Sequence, residues 1–455
     1  CSGSLASGIA LGREGPSVQI GAGIASVLGR RFGLPPDRVR GLVPVGCAAA
    51  LAAAFNTPIA AVLFSLEEIL GDMHAPVLGS VVIASATSWI TLHLILGDEP
   101  LFHVPAYQLV NPGEFLIYAV LGVVGGLGSV VFVKLLLKLR AWFKELPVST
   151  SWLHPVAGGL TVGLLGWYAP EVLGVGYDYV EKVLGGDMAL RTVALLAVLK
   201  IVATAMSYAS GNAGGIFGPS LFIGAMLGGA VGSAAHSLFP SWTANPGAYA
   251  LVGMGAAFAG IVRTPLTSVI MIFEMTRDYS VIVPLMISNL TSFMVSAHLQ
   301  KQPIYEALAH QEGIQLPGAE AREHIGRSQA GSVMRPLSLA ADAPVETGIR
   351  LLAENRIDCV PVTENGRVSG TVTAGHLKRA ASGGLQTVAE AMRKDESEFV
   401  YPDQPLSIAL ERMGIAGVDA LPVVSREYGR TYLGTVTLAD ILRAYGIERT
   451  AVPGK

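Results

Sequence analysis

"GREGPSVQIGAG", residues 12–23, and "GIFGPSLFIGAM", residues 215–226, decide how this chain folds. When the two segments are aligned, Gly, Gly-Pro-Ser and Ile-Gly-Ala coincide. A second pair, "GCAAALAAAFNTPIAAVLFSLEE" (46–68) and "GMGAAFAGIVRTPLTSVIMIFEM" (253–275), aligns without a gap. One long unit therefore occurs twice, about 200 residues apart. Apolar repeats interrupted by Gly and Pro are typical of transporters, which bind their substrate where the repeats meet.

The composition excludes an ordinary soluble enzyme and predicts a membrane protein. Of the 455 residues, 51% are apolar and 14% are charged, and the mean hydropathy is +0.52. The net charge of -3 argues against a nucleic-acid partner. The three cysteines lack the paired spacing of a disulfide framework or a zinc site, so no metal is expected. Uncharged runs near or above the roughly 20 residues that cross a bilayer as a helix occupy 41–66, 75–97, 115–133, 152–170, 201–262 and 279–300.

Charged residues become frequent after about residue 301. This change predicts a membrane domain over residues 1–310 and a linker over 311–328, followed by a soluble region and a tail over 449–455. The chain opens at Cys1 without Met and without a signal-peptide pattern. We therefore expect an N-terminally truncated fragment.

Two features of the membrane repeats predict an anion site. Gly-x-x-Gly-Pro precedes an apolar helix in both copies, and proline suits the first turn of a helix. A helix that begins inside the membrane leaves its first N–H groups unsatisfied and carries partial positive charge there. Two such ends, one from each copy, predict an anion cradle near the membrane midplane. No carboxylate cluster suited to cations lies beside them.

Glu14 lies at one of these helix starts, and Phe217 takes the equivalent position in the second copy. A buried carboxylate is costly unless something depends on it. When ionised it can occupy an anion position itself, and when protonated it can swing away. Glu14 is thus predicted to be both the gate and a proton carrier. The alternative is that it only pairs with Arg13.

Three further charged residues lie in or beside apolar segments. Glu67 has the repeat partner Glu274 and is predicted to be structural, either capping backbone groups or pairing with a cation. Glu68 has Met275 opposite it, so the second carboxylate also occurs in the first copy alone. Lys200 is an intramembrane cation that either raises the local potential for anions or pairs with a carboxylate.

The soluble region contains a repeat of its own. "VMRP" at 333 precedes "CVPVTENGRVSGTVTAGHLKRA", and "AMRK" at 391 precedes "ALPVVSREYGRTYLGTVTLADILRAY". Each copy predicts a helix, a short strand, a second strand ending in GTVT, and a helix. The pattern resembles a tandem pair of CBS domains, over 329–385 and 386–448. Such domains have an α/β fold and often bind adenine nucleotides.

The CBS resemblance implies at most one nucleotide site. In that family an Asp after the second strand often holds a ribose. Asp440, which follows Thr437 in "GTVTLAD", matches this residue, whereas the first copy has His376 in "GTVTAGH". The alternative is a structural regulatory disc without a ligand.

The membrane motifs "GREGP" (12–16), "GGIFGPS" (214–220) and "QPIYEAL" (302–308) resemble those of the CLC chloride channels and proton-coupled chloride transporters. The resemblance covers residues 1 to about 310. It implies an all-α polytopic membrane domain of two inverted repeats, a homodimer with one pore per subunit, and cytoplasmic CBS domains. The family's first anion motif, Gly-Ser-Gly-Ile-Pro, would lie upstream of Cys1.

The same resemblance assigns roles to residues at the site. Glu14 would contest an outer anion position, and Glu68 would be the inner proton-transfer residue of an exchanger. Channels usually carry an apolar residue at the place of Glu68. The anion-binding residues would be Gly215, Ile216, Phe217, Tyr305, Arg13 and Gly15.

The predicted function is transport of chloride or a similar small anion, coupled to proton counter-transport across a cell or inner membrane. A passive voltage- or pH-gated chloride channel of the same fold is the alternative. A nucleotide sensor with a membrane anchor is disfavoured, because an anchor requires neither the repeat nor the two helix starts. A cation channel is disfavoured by the lack of acidic pore motifs. No hydrolase or transferase constellation occurs, so we expect no enzyme activity and no required cofactor; an adenine nucleotide at the CBS domains is the one candidate ligand.

Overall fold

The structure is a computed structural model and describes residues 1–71, 76–97, 100–102, 104, 109–186, 188–313, 328–392, 398–426 and 431–444. The chain forms two compact units, Cys1–Leu316 and Pro317–Lys455. Of the predicted linker, residues 314–327 lie outside the described residues. The predicted tail, 449–455, lies outside them as well.

The described part of the first unit consists of helices joined by loops. The α-helices are α1 (Ser2–Ala6), α2 (Glu14–Arg31), α3 (Pro36–Phe55), α4 (Pro58–Phe64), α5 (Leu78–Leu96), α6 (Glu114–Glu145), α7 (His154–Tyr168), α8 (Tyr177–Gly185), α9 (Leu190–Ala209), α10 (Phe217–Leu238), α11 (Pro246–Val262), α12 (Pro265–Thr276), α13 (Ile282–Leu299) and α14 (Ile304–Gln311). A π-helical turn follows α4 (Ser65–Leu70), and 3-10 turns occupy Val148–Leu153, Pro170–Val172 and Tyr279–Val281.

Within the described residues, six helical segments are long and apolar enough to cross a membrane. They are Arg38–Phe55, Leu78–Leu96, Glu114–Glu145, Leu190–Ala209, Phe217–Leu238 and Tyr279–Gln311. Helix α11 is shorter but lies at the centre of the unit, with all its residues from Gly247 to Val262 buried. It packs against α10, α6 and α13.

The uncharged run 41–66 is not a single membrane-crossing helix, which corrects the prediction from the sequence. Asn56 adopts a left-handed conformation (φ 58°), which ends α3, and α4 begins at Pro58. In the second copy Arg263 (φ 68°) and Pro265 break the chain in the same way. Proline at the first helical position has no N–H to leave unsatisfied. The matching breaks confirm the alignment of the two copies.

Gly12 and Gly215, which are equivalent in the repeat, pair with each other through the backbone. The N–H of each donates to the carbonyl of the other, both at 2.7 Å, in an antiparallel bridge. This reciprocal exchange between equivalent residues places the two helix starts in a local two-fold arrangement.

The carboxylates Glu67 and Glu274 are also exchanged between the copies. Glu67 accepts hydrogen bonds from the N–H of Thr267, at 2.9 Å, and from its hydroxyl, at 2.7 Å. Glu274 accepts from the N–H groups of Ile59 and Ala60, at 2.9 and 2.7 Å. Each carboxylate therefore caps the helix start of the other copy, α12 or α4, whose first N–H groups lack partners within the helix. The prediction that Glu67 caps backbone groups is confirmed.

The second unit has the two-copy α/β pattern predicted from the sequence. Its elements are α15 (Ala330–Val333), β1 (Leu339–Ala340), α16 (Val345–Asn355), β2 (Cys359–Glu364), β3 (Arg367–Thr373), α17 (Ala374–Ser382), α18 (Val388–Ala391), α19 (Leu406–Ala416), β4 (Ala420–Val424), β5 (Tyr432–Thr437) and α20 (Leu438–Ala444). Strand β2 pairs in parallel with β1 and antiparallel with β3, and β4 pairs antiparallel with β5. Both predicted strands ending in GTVT, β3 and β5, are confirmed.

The two copies of the second unit are joined by the segment that opens the first copy. The backbone of Arg335 pairs with that of Thr435 on β5, with hydrogen bonds of 2.9 and 2.8 Å. The Asp419 carboxylate accepts from the N–H groups of Asp358 and Cys359, at the start of β2. Each copy therefore donates backbone hydrogen bonds to the other.

The exchanged caps should contribute to stability and not to transport. Glu274→Ala should lower the free energy of unfolding by about 1 kcal/mol, because two N–H groups at the start of α4 lose their acceptor. Chemical unfolding of the purified full-length protein in detergent measures the change. Glu145→Ala, at an exposed position at the end of α6, is the control and should leave the unfolding curve unchanged. Equal curves for both variants would contradict the capping role.

Candidate functional site

The carboxylate of Glu14 lies against the start of the equivalent helix in the other copy. Glu14 is the first residue of α2 and is 1% exposed. Its Oε1 accepts a hydrogen bond from the Tyr177 hydroxyl at 2.7 Å, and its Oε2 accepts from the Gly218 N–H at 3.4 Å. Gly218 is in the first turn of α10, whose positive end favours a negative group. The carboxylate therefore occupies a position suited to an anion.

Both neighbours of Glu14 in the chain, Arg13 and Gly15, are exposed. Among the described residues the donors to the Glu14 carboxylate are Tyr177 and Gly218, and Arg13 is not one of them. Gly15 permits the close approach of the two helix starts, since a Cβ on Gly15 would lie 3.2 Å from the Cα of Gly215. The Gly-x-x-Gly spacing thus serves contact between the copies.

The start of α10 carries N–H groups without a partner. The Gly215 N–H donates to Gly12 and is not available to a ligand. Ile216 and Phe217 are 2% and 4% exposed, and their N–H groups donate to no acceptor among the described residues. Buried backbone N–H groups are rarely left unpaired. Two unpaired donors therefore lie beside a third, the Gly218 N–H that donates to Glu14, and such a group of donors is suited to a negative ligand.

Phe217 confirms the difference between the copies. It is the first residue of α10, as Glu14 is of α2. Its ring lies among three other rings, with centroid distances of 4.6 Å to Phe55, 5.7 Å to Phe64 and 4.4 Å to Phe258. The two equivalent positions therefore hold a carboxylate in one copy and an aromatic cluster in the other.

Tyr305 lies within electrostatic range of both predicted carboxylates. Tyr305 is the second residue of α14 and packs against the core of the first unit. The carboxylates of Glu68 and Glu14 and the hydroxyl of Tyr208 are all near enough to act electrostatically on it. The structure therefore places Tyr305, Glu14 and Glu68 in the same part of the first unit.

Helix α14 is fixed at both ends. Ahead of it, the Arg263 guanidinium donates to the carbonyl of Lys301 at 2.8 Å. At its far end Arg140 and Lys144 form ion pairs with Glu312, the latter at 2.9 Å. The hydrogen bond from Lys144 and the nearby charge of Arg140 hold the pKa of Glu312 below its ordinary value. These contacts determine where the Tyr305 hydroxyl lies.

Glu68 lies on the π-helical turn that follows α4, next to the capping residue Glu67. Turns of this kind insert an extra residue into a helix and frequently occur at functional sites. In the second copy Met275 is buried within α12, which is regular. The second carboxylate, like the first, therefore lies at a point where the copies differ in structure as well as in sequence.

The partners of Lys200 are backbone carbonyls. Its side chain is fully buried, and its Nζ donates to the carbonyls of Val172 and Gly174 at 2.9 and 2.6 Å. The Phe222 ring lies beneath it, 4.6 Å from Nζ to the ring centroid. Of the two alternatives for Lys200, pairing with a carboxylate is not what the described residues show, because its hydrogen bonds go to carbonyl oxygens. Lys200 fixes the loop that leads to α8.

Tyr177 was missed by the analysis of the sequence. It is 163 positions from Glu14 in the chain and lies outside both pairs of aligned segments. A tyrosine that directly follows Gly176, in the first turn of an amphipathic helix, was the only available signal. A contact between distant parts of a chain requires the three-dimensional structure.

The Asp440 carboxylate of the second unit is already bound by protein groups. It is 5% exposed, and its Oδ2 accepts from Arg335 Nε at 3.0 Å and from the Thr437 hydroxyl at 2.6 Å. Its Oδ1 pairs with Arg335 Nη2 at 2.7 Å. A ribose can reach this carboxylate only if Arg335 moves away.

No group of three or more metal-ligating side chains occurs among the described residues.

Both units of the chain are similar to known proteins. Residues 1–297 match the model of the voltage gated chloride channel family, and residues 330–383 and 388–447 match that of the CBS domain. A ClcB-like chloride channel protein of Ralstonia nicotianae is 37% identical, with 70% of this chain and 76% of the relative covered. An H(+)/Cl(-) exchange transporter, ClcA, of Vibrio campbellii is 35% identical over 68% of this chain and 67% of the relative. The crystal structure of a slow cyanobacterial Cl-/H+ antiporter matches with a TM-score of 0.64 and 30% identity, over 68% of this chain and 73% of that one.

Proposed function

Because the chain belongs to the voltage gated chloride channel family, we propose that it exchanges chloride, or a similar small anion, for protons across a membrane. It is an integral membrane protein and a transporter, not an enzyme. One observation carries the proposal: the Glu14 carboxylate lies at the Gly218 N–H, at the start of α10. A group that occupies an anion position when ionised, and leaves it when protonated, couples the two movements.

The proposed anion site lies at the start of α10. The unpaired N–H groups of Ile216 and Phe217 and the Tyr305 hydroxyl are its donors. The helix dipole adds positive potential, and in a site shielded from water each donor is worth more than in solution. Gly215 and Gly15 allow the two helix starts to meet, and Arg13 adds positive charge at the exposed side.

The proposed proton route runs from Glu14 to Glu68. A proton that leaves Glu14 must cross an apolar interior, and it needs an ionisable group to receive it. The Tyr305 hydroxyl is within electrostatic range of both carboxylates, which supports a route between them. Both carboxylates occur in the first copy only. A single proton route, added to an anion site built from two similar copies, would place its carboxylates in one copy only, as observed.

A passive voltage- or pH-gated chloride channel of the same fold is the alternative. It would need the anion site and the gate but no inner proton acceptor. One relative is named a chloride channel protein, and two others are named for exchange. Glu68 favours exchange, because channels of this kind need no carboxylate there.

We also propose that the protein works as a homodimer in a lipid bilayer, with one pore per subunit and with the CBS pair in the cytoplasm. Helix α5 supports contact with lipid or a second copy, since Ile83, Leu94 and Ile95 are 68%, 82% and 74% exposed. Apolar side chains exposed to this degree along a membrane-length helix are not stable in water.

The CBS pair is the proposed site of an adenine nucleotide, with Asp440 and Thr437 as the ribose contacts. In the structure Arg335 holds both oxygens of the Asp440 carboxylate. A nucleotide therefore has to compete with Arg335 for Asp440. This competition would connect nucleotide binding to the backbone bridge between Arg335 and Thr435, and so to the contact between the two CBS copies.

Glu14→Gln should keep anion flux while abolishing proton coupling and pH dependence, since an amide neither takes up nor releases a proton. Full-length protein in liposomes with an imposed chloride gradient provides both readings, chloride efflux and uphill proton movement. Glu145→Gln is the control and should behave as wild type. If Glu14→Gln still moves protons uphill, Glu14 is not the proton carrier.

Glu68→Gln should eliminate proton transport and retain substantial anion flux, because the inner proton acceptor is lost while Glu14 remains. Its neighbour provides the control: Glu67→Gln should cost mainly stability and leave coupling intact. The same liposome assay separates the two variants. Uphill proton movement by Glu68→Gln contradicts the proposed route, and rapid wild-type chloride flux without any proton movement favours the channel.

Asp440→Ala should weaken the binding of ATP to the full-length protein, and Arg335→Ala should strengthen it by freeing the carboxylate. Isothermal titration calorimetry measures both affinities. Arg426→Ala is the control, because Arg426 pairs with Asp403 and contacts neither Asp440 nor Thr437. The absence of binding at millimolar ATP, in the wild type and in Arg335→Ala alike, would favour a structural disc.

A further inference from the structure

The Tyr177 hydroxyl makes the shorter of the two hydrogen bonds to Glu14. Its distance to Oε1 is 2.7 Å, against 3.4 Å from the Gly218 N–H to Oε2. Hydrogen bonds from a hydroxyl to a carboxylate are among the stronger ones in proteins. Among the described residues, Tyr177 is the one side chain that donates to Glu14. The phenol therefore provides the main side-chain restraint on the gate.

The phenol is fixed from its own side as well. Tyr177 is the first residue of α8, and its ring lies edge-on to that of Phe102, with centroids 5.3 Å apart. Gly176, directly before it, adopts a positive φ of 84°. A Cβ there would lie 2.6 Å from the Phe222 ring, so another residue would both strain the backbone and displace that ring. The start of α8 thus has little freedom to move.

The loop ahead of α8 is held between two other parts of the unit. Lys200 binds the carbonyls of Val172 and Gly174 from within the core. On the other side the Gly174 N–H donates to the carbonyl of Gly8 at 3.0 Å, a few residues before the start of α2. The buried lysine therefore ties the loop that carries the phenol to the segment that carries the gate.

We propose that Tyr177 is a positioning residue that holds the Glu14 carboxylate in the anion position at the start of α10, and thereby slows anion exchange. The proposal rests on the proposed function, since it presumes that Glu14 is the gate. The hydrogen bond favours the ionised, inward carboxylate over both the protonated form and the form that has swung away. Each turnover has to break it.

The groups that face Glu14 define the effect of pH. Arg13 precedes it in the chain, Tyr177 faces it from α8, and the Tyr305 hydroxyl is near it from α14. Of these, Tyr177 donates directly to the carboxylate. Protonation of Glu14 releases the gate, so flux rises as the pH falls. Without the phenol, the Glu14 carboxylate is protonated and leaves its position more readily. Flux should therefore reach half of its maximum at a higher pH.

The test is Tyr177→Phe in the full-length protein, which removes the hydroxyl and keeps the ring against Phe102. Chloride efflux from liposomes at neutral pH should rise about tenfold, the usual effect of one lost hydrogen bond to a charged group. The pH of half-maximal flux should rise by about one unit. Tyr179→Phe, the same change on the same helix, should alter neither value. If Tyr177→Phe does not assemble, Tyr177→Leu also lacks the hydroxyl and gives the same comparison.

A Glu14→Ala background separates this proposal from the proposed function. There the phenol has no carboxylate to hold, so adding Tyr177→Phe should change the flux by less than twofold. If Glu14→Ala alone leaves proton coupling intact, the proposed function fails. If Glu14→Ala abolishes coupling but Tyr177→Phe matches wild type in flux and pH profile, only the role of Tyr177 is overturned. An equal acceleration by Tyr177→Phe with and without Glu14 also overturns it.

Discussion

Two backbone hydrogen bonds between Gly12 and Gly215, each 2.7 Å long, hold the starts of α2 and α10 side by side. Both helices present their positive ends at this contact, where like partial charges repel and N–H groups lack acceptors. The arrangement is stable only if something negative lies there. Glycine is required because the backbones touch: a Cβ on Gly215 would lie 2.9 Å from the N of Gly15. The proposed anion site is therefore a consequence of how the two copies meet.

In the structure the negative group is supplied by the protein itself. The Glu14 carboxylate takes the proposed anion position, while its equivalent, Phe217, belongs to an aromatic cluster. Glu14 and Glu68 are thus two ionisable groups of the first copy that have no ionisable equivalent in the second. The caps formed by Glu67 and Glu274 remain symmetric. Carboxylates that keep the two-fold relation stabilise the fold, and those that break it are the ones proposed to move protons.

Local patterns in the sequence were sufficient to predict much of this. The aligned repeats predicted both helix starts, the equivalence of Glu14 with Phe217, and a capping role for Glu67. The strands ending in GTVT followed from their spacing. What the sequence did not contain was the meeting of distant segments. Tyr177 has no repeat partner, and nothing local indicates its contact with Glu14. The partners of Lys200 are backbone carbonyls, which no residue pattern identifies, and the π-helical turn under Glu68 depends on packing.

Anomalous diffraction from bromide-soaked crystals of the full-length Glu14→Gln variant tests most directly whether Glu14 occupies an anion position. An amide has no charge and should leave the start of α10 to a halide. We expect a bromide peak within hydrogen-bonding distance of the Gly218 N–H, where the wild-type carboxylate lies, and no such peak in wild-type crystals. Bromide bound elsewhere in the membrane unit, with none at this helix start, would contradict the claim that Glu14 occupies an anion position.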